Sequence, residues 1–336
     1  MCSTALLACE HDAKPLADTN EDLVLALVTG GSGFIGSHVT DRLMAHGVDV
    51  RIFDMVYPRH RKDVEYYHGS VTDLQALQMA VMDVDAIFHL AAVADVKDVY
   101  SDPHYAEAIN VRGTINVLEA ARRGKISRVI YGSTTWVYSD VLDAEVDENT
   151  PLRSPSHLYT AMKVASEHYC QAYAKLYNMD VTILRYGIPY GPRARDGAVI
   201  PIFVRRALGT QPLTIAGDGS QFRKFVYVED LAEGNVLALK RIAVNKIYNL
   251  DGQEQVTIRQ IAETVQELIG NVAIEHVPQR AGDFGGKLVS SELAKRELGW
   301  EPKVSFREGV RRYVEWYRGR EARRAADLER LDKELQ

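Results

Sequence analysis

The sequence predicts an α/β fold in which a doubly wound, parallel Rossmann sheet is joined to a smaller, mixed C-terminal substrate lobe. Three observations carry this expectation. Apolar runs of strand length alternate with amphipathic stretches of helix length, a glycine-rich turn separates the first run from the first helix, and after Pro189 the rhythm gives way to shorter, mixed elements.

Taken in order, LVLALVTG (23–30) is a buried strand, SGFIGSHVTDRLMAHG (32–47) a helix that Gly47 closes, and VDVRIFD (48–54) a second strand. A helix over 74–81, a strand DAIFHLA (85–91), a helix over 106–123, a strand RVIYGST (128–134), a long helix over 159–177 and a strand DVTILRYG (180–187) continue the alternation. The expected organisation is an N-terminal extension at 1–21, a dinucleotide-binding domain at 22–188 and a substrate lobe at 189–317. The two are interleaved, because IYNL within 244–251 reads as a strand returning to the first sheet. TIRQIAETVQELIG (257–270) is an amphipathic helix, and the densely charged tail at 318–336 is expected to form a solvated terminal helix.

At 336 residues the chain holds about two domains, or one large domain with an appended lobe, and 46% hydrophobic against 26% charged residues is the balance of a globular protein. A net charge of -6 supplies no bulk field for nucleic acid or anionic membrane, so neither is an expected partner and any phosphate must be held by local groups. The three cysteines, Cys2, Cys9 and Cys170, lack metal-ligand spacing, so no metal site is expected and a reducing, cytoplasmic location fits. The apolar runs fall short of a membrane span, and Glu10, Asp12 and Asp18 argue against a signal peptide.

Two constellations carry chemistry. In TGGSGFIG, Gly30, Gly33 and Gly36 follow a strand and open a helix, so backbone N–H groups at the positive helix end can approach a pyrophosphate; Phe34 and Ile35 belong to the same turn. Asp54 ends the next strand, where a carboxylate accepts from both hydroxyls of an adenosine ribose and disfavours a 2′-phosphate; this points to NAD rather than NADP. The second constellation is Tyr159 and Lys163, four apart on one helix and therefore on one face. A tyrosine is a poor base at neutral pH, and a neighbouring ammonium favours its phenolate. Ser133 and Thr134, ending a strand just upstream, offer a hydroxyl to hold the reacting oxygen.

With HLAA (89–92), NVRGT (110–114), STTWVYS (133–139) and YTAMK (159–163) added to these, residues 23–317 resemble the extended short-chain dehydrogenase/reductases, in particular the NAD-dependent nucleotide-sugar epimerases and dehydratases. The resemblance implies that Thr134 is the catalytic hydroxyl, Tyr159 the base, and Lys163 the residue that lowers its pKa and holds the nicotinamide ribose. It implies further cofactor contacts at Ser70, Val71, Leu90, Ala91, Ala92, Tyr186 and Pro189. In the second lobe, GDGSQFRKFVYVEDLAEG (217–234) and RAGDFGG (280–286) resemble segments whose arginines grip a nucleotide diphosphate and whose aspartate accepts from the nucleotide ribose, which carries the first role to Arg223 and Arg280 and the second to Asp283. Asn110 matches a helix asparagine with a structural reading. The family's Phe-Asn pair is Gly187 and Ile188 here, Ser70 replaces an aspartate that often touches adenine, and Lys287 replaces an aromatic, so sugar specificity stays open.

The family's shared first step is removal of a hydroxyl proton by Tyr while the carbon, usually C4, gives hydride to NAD. Dehydratases resemble one another in an Asp-Glu pair after the catalytic Thr, and UDP-glucuronate decarboxylases keep the Glu; here those positions are Thr135 and Trp136, which cannot relay a proton at ordinary pH. The expectation is a nucleotide-sugar 4-epimerase, with UDP as carrier, in which Thr135 and Trp136 line the sugar pocket. The alternatives are a 4-ketoreductase or dehydrogenase with the same residues, then a dehydratase or decarboxylase, and, from a different class, a non-catalytic dinucleotide sensor on this fold. The resemblance also implies a homodimer through the helices at 106–123 and 159–177.

Overall fold

The computed structural model describes residues 25–126, 128–270, 272–278 and 287–334. Seven parallel strands form the main sheet: β1 (Leu25–Thr29), β2 (Asp49–Asp54), β3 (Glu65–His68), β4 (Ala86–His89), β5 (Arg128–Thr134), β7 (Asp180–Tyr186) and β11 (Ile247–Leu250). Their order is β11-β7-β5-β4-β1-β2-β3, so the chain winds outward both ways from β1 and the strand order reverses between β1 and β4. Helices α1 (Phe34–Ala45), α8 (Val228–Leu237) and α10 (Glu292–Leu298) share one apolar core with the sheet; α2 (Leu74–Ala80), α5 (Gly113–Arg123) and α6 (Leu158–Tyr177) share the other. Burial on both faces is why β1 and β4 carry unbroken apolar runs rather than alternation.

The returning segment 247–250 pairs in parallel with β7 at the edge of this sheet. The remaining elements form a three-stranded sheet of β8 (Ile188–Tyr190), β10 (Phe222–Tyr227) and β12 (Gln255–Thr257), and two pairs, β9 (Leu213–Ala216) with β13 (Ile274–Val277) and β6 (Glu145–Val146) with β14 (Leu288–Val289). Helices α7 (Val199–Leu208) and α9 (Ile258–Ile269) pack in a separate apolar cluster with the three-stranded sheet and the β9–β13 pair, while β6 and β14 pack with Val137, Tyr138 and Val141.

Three sequence expectations change. Strand β3 has no apolar run, because it is the sheet edge and its residues are half-exposed or exposed. The helix expected over 106–123 is instead the end of α4 (Pro103–Glu107), a π-helical turn at Ala108–Arg112 and then α5, and a further short helix, α3 (Val96–Ser101), precedes them. The turn widens where the Asn110 carbonyl accepts from Thr114 Oγ1 (2.7 Å) and Ser166 Oγ (2.8 Å), and where its side chain both accepts from Val93 N–H (2.8 Å) and donates to Val93 O (3.0 Å). The charged tail is not a separate helix over 318–336. It continues α11 (Phe306–Glu334), whose first turns bury Phe306, Val310, Tyr313, Val314 and Tyr317 at helical spacing. Residues 1–21 lie outside the described residues. Among the described residues no helix is long and apolar enough to cross a membrane.

Trp300 ties the two parts of the chain together. It is buried in the core beneath α8, donates from Nε1 to the Asp230 carbonyl at 2.7 Å, and stands against Gly234. Trp300→Ala is expected to destabilise the protein by about 3–5 kcal/mol, from lost burial and the void left behind, as measured by the urea midpoint at unchanged m-value.

Candidate active site

Because the strands of the main sheet are parallel, their carboxyl ends share one edge, and there a cavity of about 710 Å³ opens. Its floor begins at the β1–α1 turn. Gly30 takes φ +74° and donates its N–H to Phe53 O at 3.0 Å, and Gly33 precedes the first helical residue, Phe34. At Gly36 helix and strand meet so closely that a Cβ would stand 2.1 Å from Gly30 O. Gly30, Gly33, Phe34, Ile35 and Gly36 all line the cavity, so the unpaired N–H groups opening α1 face it and present a cradle for phosphate oxygens.

Asp54, at the end of β2, also lines it. Its Oδ2 accepts from Ser32 N–H and its Oδ1 from Val56 N–H, each at 3.0 Å, which fixes the carboxylate while each oxygen keeps a further lone pair. Ser70, Val71, Leu90, Ala91 and Ala92 complete this end of the wall. His89, just before Leu90, is buried between Thr29 Oγ1 (2.8 Å) and Thr114 Oγ1 (3.0 Å), and burial pulls its pKa down to about 3. Neutral at all working pH values, it ties β1 to α5 and leaves the chemistry to others.

At the other end, Thr134 closes β5 and its Oγ1 accepts from Trp136 N–H at 3.2 Å. Tyr159 enters from the first turn of α6, and Tyr186 and Pro189 from the end of β7 and from β8; all line the same cavity, as does Trp136, 41% exposed. Burial pushes the Tyr159 phenol up to about 12, partly offset by the positive charge of Arg195. Lys163 lies one turn further along α6, behind the wall. It is buried, donates from Nζ to Gly132 O at 2.7 Å and sits 4.9 Å from the centre of the Tyr131 ring. Burial pulls its pKa down to about 8.

Not every expected residue joins them. Thr135 does not line the cavity; it begins a short 3-10 turn at Thr135–Tyr138 whose next residue, Trp136, does. Arg223 on β10 does not line it either and donates to Phe222 O at 2.7 Å. Arg280 and Asp283 lie outside the described residues. Lys287, which stands where an aromatic is usual, donates to Asp143 O at 2.9 Å and to Val141 O, closing a loop. One charged wall residue escaped the sequence reading: Arg195, on the loop after β8, lines the cavity and pairs with Asp95, which caps α3. Its pattern GPRAR was visible, but a partner 100 residues earlier was not.

A glycine cradle at a helix N-terminus, a fixed carboxylate at the next strand end and a tyrosine and threonine at the far end together fit an extended dinucleotide with its reactive end beside Tyr159. Comparison with known proteins agrees. The sequence model of the NAD dependent epimerase/dehydratase family matches residues 26–251. A UDP-glucuronate 4-epimerase of Thermodesulfobacterium geofontis is 30% identical over 310 residues, covering 86% of this chain and 95% of that protein. A UDP-N-acetyl-alpha-D-glucosaminuronate decarboxylase of Bacillus cytotoxicus is 32% identical over 313 residues, covering 87% and 97%. The crystal structure of UDP-glucose 4-epimerase from Thermotoga maritima, with UDP-glucose, superposes with a TM-score of 0.84 at 30% identity, covering 88% of this chain and 99% of that one.

Gly36→Val is expected to lower NAD affinity by at least about 100-fold in titration calorimetry, because even its Cβ cannot fit against Gly30 O and α1 must retreat from the cradle.

Proposed function

This chain belongs to the NAD-dependent epimerase/dehydratase family, and we propose that within it the chain is a UDP-sugar 4-epimerase working through a transient 4-keto sugar. The observation that carries this reading is the company Thr134 keeps: Thr134 and Tyr159 line one cavity, and of the two positions after Thr134 the first, Thr135, is off its wall and the second, Trp136, is on it. Elimination of water or loss of carbon dioxide needs an acid or base beside Thr134, and neither side chain provides one. Inversion at C4 needs no second acid or base.

In this mechanism the cradle from Gly30 to Gly36 holds the pyrophosphate of NAD, Asp54 its adenosine ribose, and Ser70, Val71, Leu90, Ala91, Ala92, Tyr186 and Pro189 its flanks. Bound NAD supplies reversible hydride acceptance at the sugar C4. Thr134 Oγ1 hydrogen-bonds the C4 oxygen, and Tyr159 takes the hydroxyl proton and returns it when the alcohol re-forms. Left alone, the buried phenol would hold its proton up to about pH 12; the Lys163 ammonium, one turn behind, favours the phenolate. Trp136 gives the sugar an apolar face that allows it to present either side. Arg280 holds the nucleotide diphosphate, Asp283 accepts from the nucleotide ribose, and Arg195 adds positive charge at the cavity wall.

The reading extends to a cytoplasmic homodimer. Helix α6 leaves Tyr169, Leu176 and Tyr177 exposed, and Tyr100 of α3 and Tyr105 of α4 are exposed as well, an apolar surface suited to a second copy. The described cysteine, Cys170, is a buried free thiol.

Tyr159→Phe is expected to keep NAD binding but lower kcat by at least about 100-fold, read by product NMR across a panel of UDP-sugars. Near-normal turnover would remove Tyr159 from the mechanism. A second measurement separates the reactions. Turnover in D₂O should give an epimer with no carbon-bound deuterium and without added cofactor, since the C4 hydrogen leaves and returns without meeting solvent. Deuterium at C5, or a product lighter by water or carbon dioxide, would assign the chain to dehydration or decarboxylation; a stoichiometric need for external cofactor would make it a reductase or dehydrogenase.

A further inference from the structure

Behind the wall that carries Thr134 and Tyr159 lies a buried ion pair with no part in the mechanism above. Glu167 sits one turn beyond Lys163 on α6, and Arg185 is on β7. Arg185 donates to Glu167 twice, from Nη2 to Oε2 at 2.7 Å and from Nε to Oε1 at 3.0 Å, and the two side chains are 4% and 3% exposed. Glu167 Oε1 accepts a third bond, from Ser133 Oγ at 2.6 Å. The guanidinium then donates from Nη1 to Tyr138 OH at 2.6 Å, and Tyr138 donates on to Asn249 Oδ1 at 3.0 Å. One carboxylate therefore grips the strand residue next to Thr134, the strand beyond it, and the helix that carries Tyr159 and Lys163.

Burying such a pair is expensive, and an apolar pair of similar volume commonly leaves a protein as stable or more so. Stability alone does not account for its place. Two properties of the site do. The Thr134 hydroxyl and the Tyr159 phenol come from different elements, and catalysis requires them to converge on one oxygen, which a bond from α6 to Ser133 enforces. The Lys163 ammonium is also buried, and among the described groups that bear on it Glu167 is the one anion of the resting site, since Tyr159, one turn back on α6, keeps its phenol proton there. The Tyr131 ring and Gly132 carbonyl on β5 are neutral, His89 on β4 is held neutral, and burial raises the Cys170 thiol so that it carries no charge. Arg185 is a cation spent on Glu167 itself. Glu167 remains as the charge that holds Lys163 protonated against desolvation.

We propose that Glu167, clamped by Arg185, is a positioning residue that sets the distance between Thr134 and Tyr159 and sustains the charge on Lys163. This rests on the roles given above to Thr134, Tyr159 and Lys163, and the test separates the two. The first readout needs no turnover: the ε-carbon resonances of ¹³C-labelled lysine, with Lys163 assigned from Lys163→Arg, are titrated with pH. In Glu167→Gln the Lys163 ammonium is expected to lose its proton about one pH unit lower than in the wild type. The second uses the UDP-sugar that the wild type turns over. Glu167→Gln should lower kcat by at least about 10-fold with KM changed less than about 3-fold, and should move the alkaline limb of the kcat profile to lower pH.

Since Glu167→Gln strands Arg185, the double variant Glu167→Met/Arg185→Met serves where the single variant does not fold; it restores an apolar fit and should fold and bind NAD while showing the same loss of kcat and a smaller fall in the Lys163 titration, because the Arg185 cation leaves with the Glu167 anion. Ser133→Ala removes the grip on β5 and keeps the anion, so it should lower kcat with the Lys163 titration in place. An unchanged Lys163 titration in both Glu167 variants, or wild-type kcat in either, would overturn the proposal. If Tyr159→Phe kept full activity while the titration moved as expected, the catalytic assignment would fall and the electrostatic link would stand.

Discussion

The arrangement of this protein depends on the parallel register of its central strands. Thr134 at the end of β5 stands opposite Tyr186 at the end of β7, while Thr29 is aligned with Phe53 on one side and His89 on the other. Strands aligned this way finish together, so the glycine turn, the Asp54 carboxylate, the HLAA segment and the Thr134 hydroxyl open onto one edge without any loop having to reach for it. The substrate lobe can then be built from mixed short elements, because the precise part of the site rests on strand ends and on α6.

Burial does most of the electrostatic work at that edge. The same desolvation that keeps His89 neutral holds the Tyr159 phenol protonated and weakens the hold of Lys163 on its proton. In the proposed mechanism the tyrosine base and its lysine helper are therefore both held away from their working charge states by the fold, and charges placed beside them decide how far they return. Arg195 acts on Tyr159 from the cavity side and Glu167 on Lys163 from the core side. The site is thus tuned from two directions by residues outside the Tyr-Lys pair.

The fold was legible because both periods were clean. Runs such as LVLALVTG and DAIFHLA are buried on both faces, so their hydrophobicity is continuous, and between β1 and α1 Gly30 and Gly36 mark a turn with no room for a side chain at those two positions. Legibility failed where structure is set by partners distant in sequence. Strand β3 needs only an edge to pair with, the π turn exists because Asn110 bonds to Val93 and Ser166, and α11 begins at Phe306 because an apolar face precedes the charged tail. The site divides in the same way. Gly36, Asp54, Thr134 and Tyr159 belong to local patterns, whereas Arg195 and Glu167 matter through Asp95, Ser133 and Arg185, and no spacing announces those pairs.

A net charge of -6 sits beside a substrate class that is itself anionic, and local pairing reconciles them. Asp54 is held by two backbone N–H groups, Glu167 behind the wall by Arg185 and Ser133, and Asp95 by Arg195, so these three carboxylates are already engaged. What faces an incoming phosphate is then the N-terminus of α1 and the guanidinium of Arg195. Local field, rather than total charge, governs what enters. In the proposed reaction the sugar then meets Trp136, an aromatic side chain that cannot relay a proton, which is why inversion rather than elimination is the reading this wall supports.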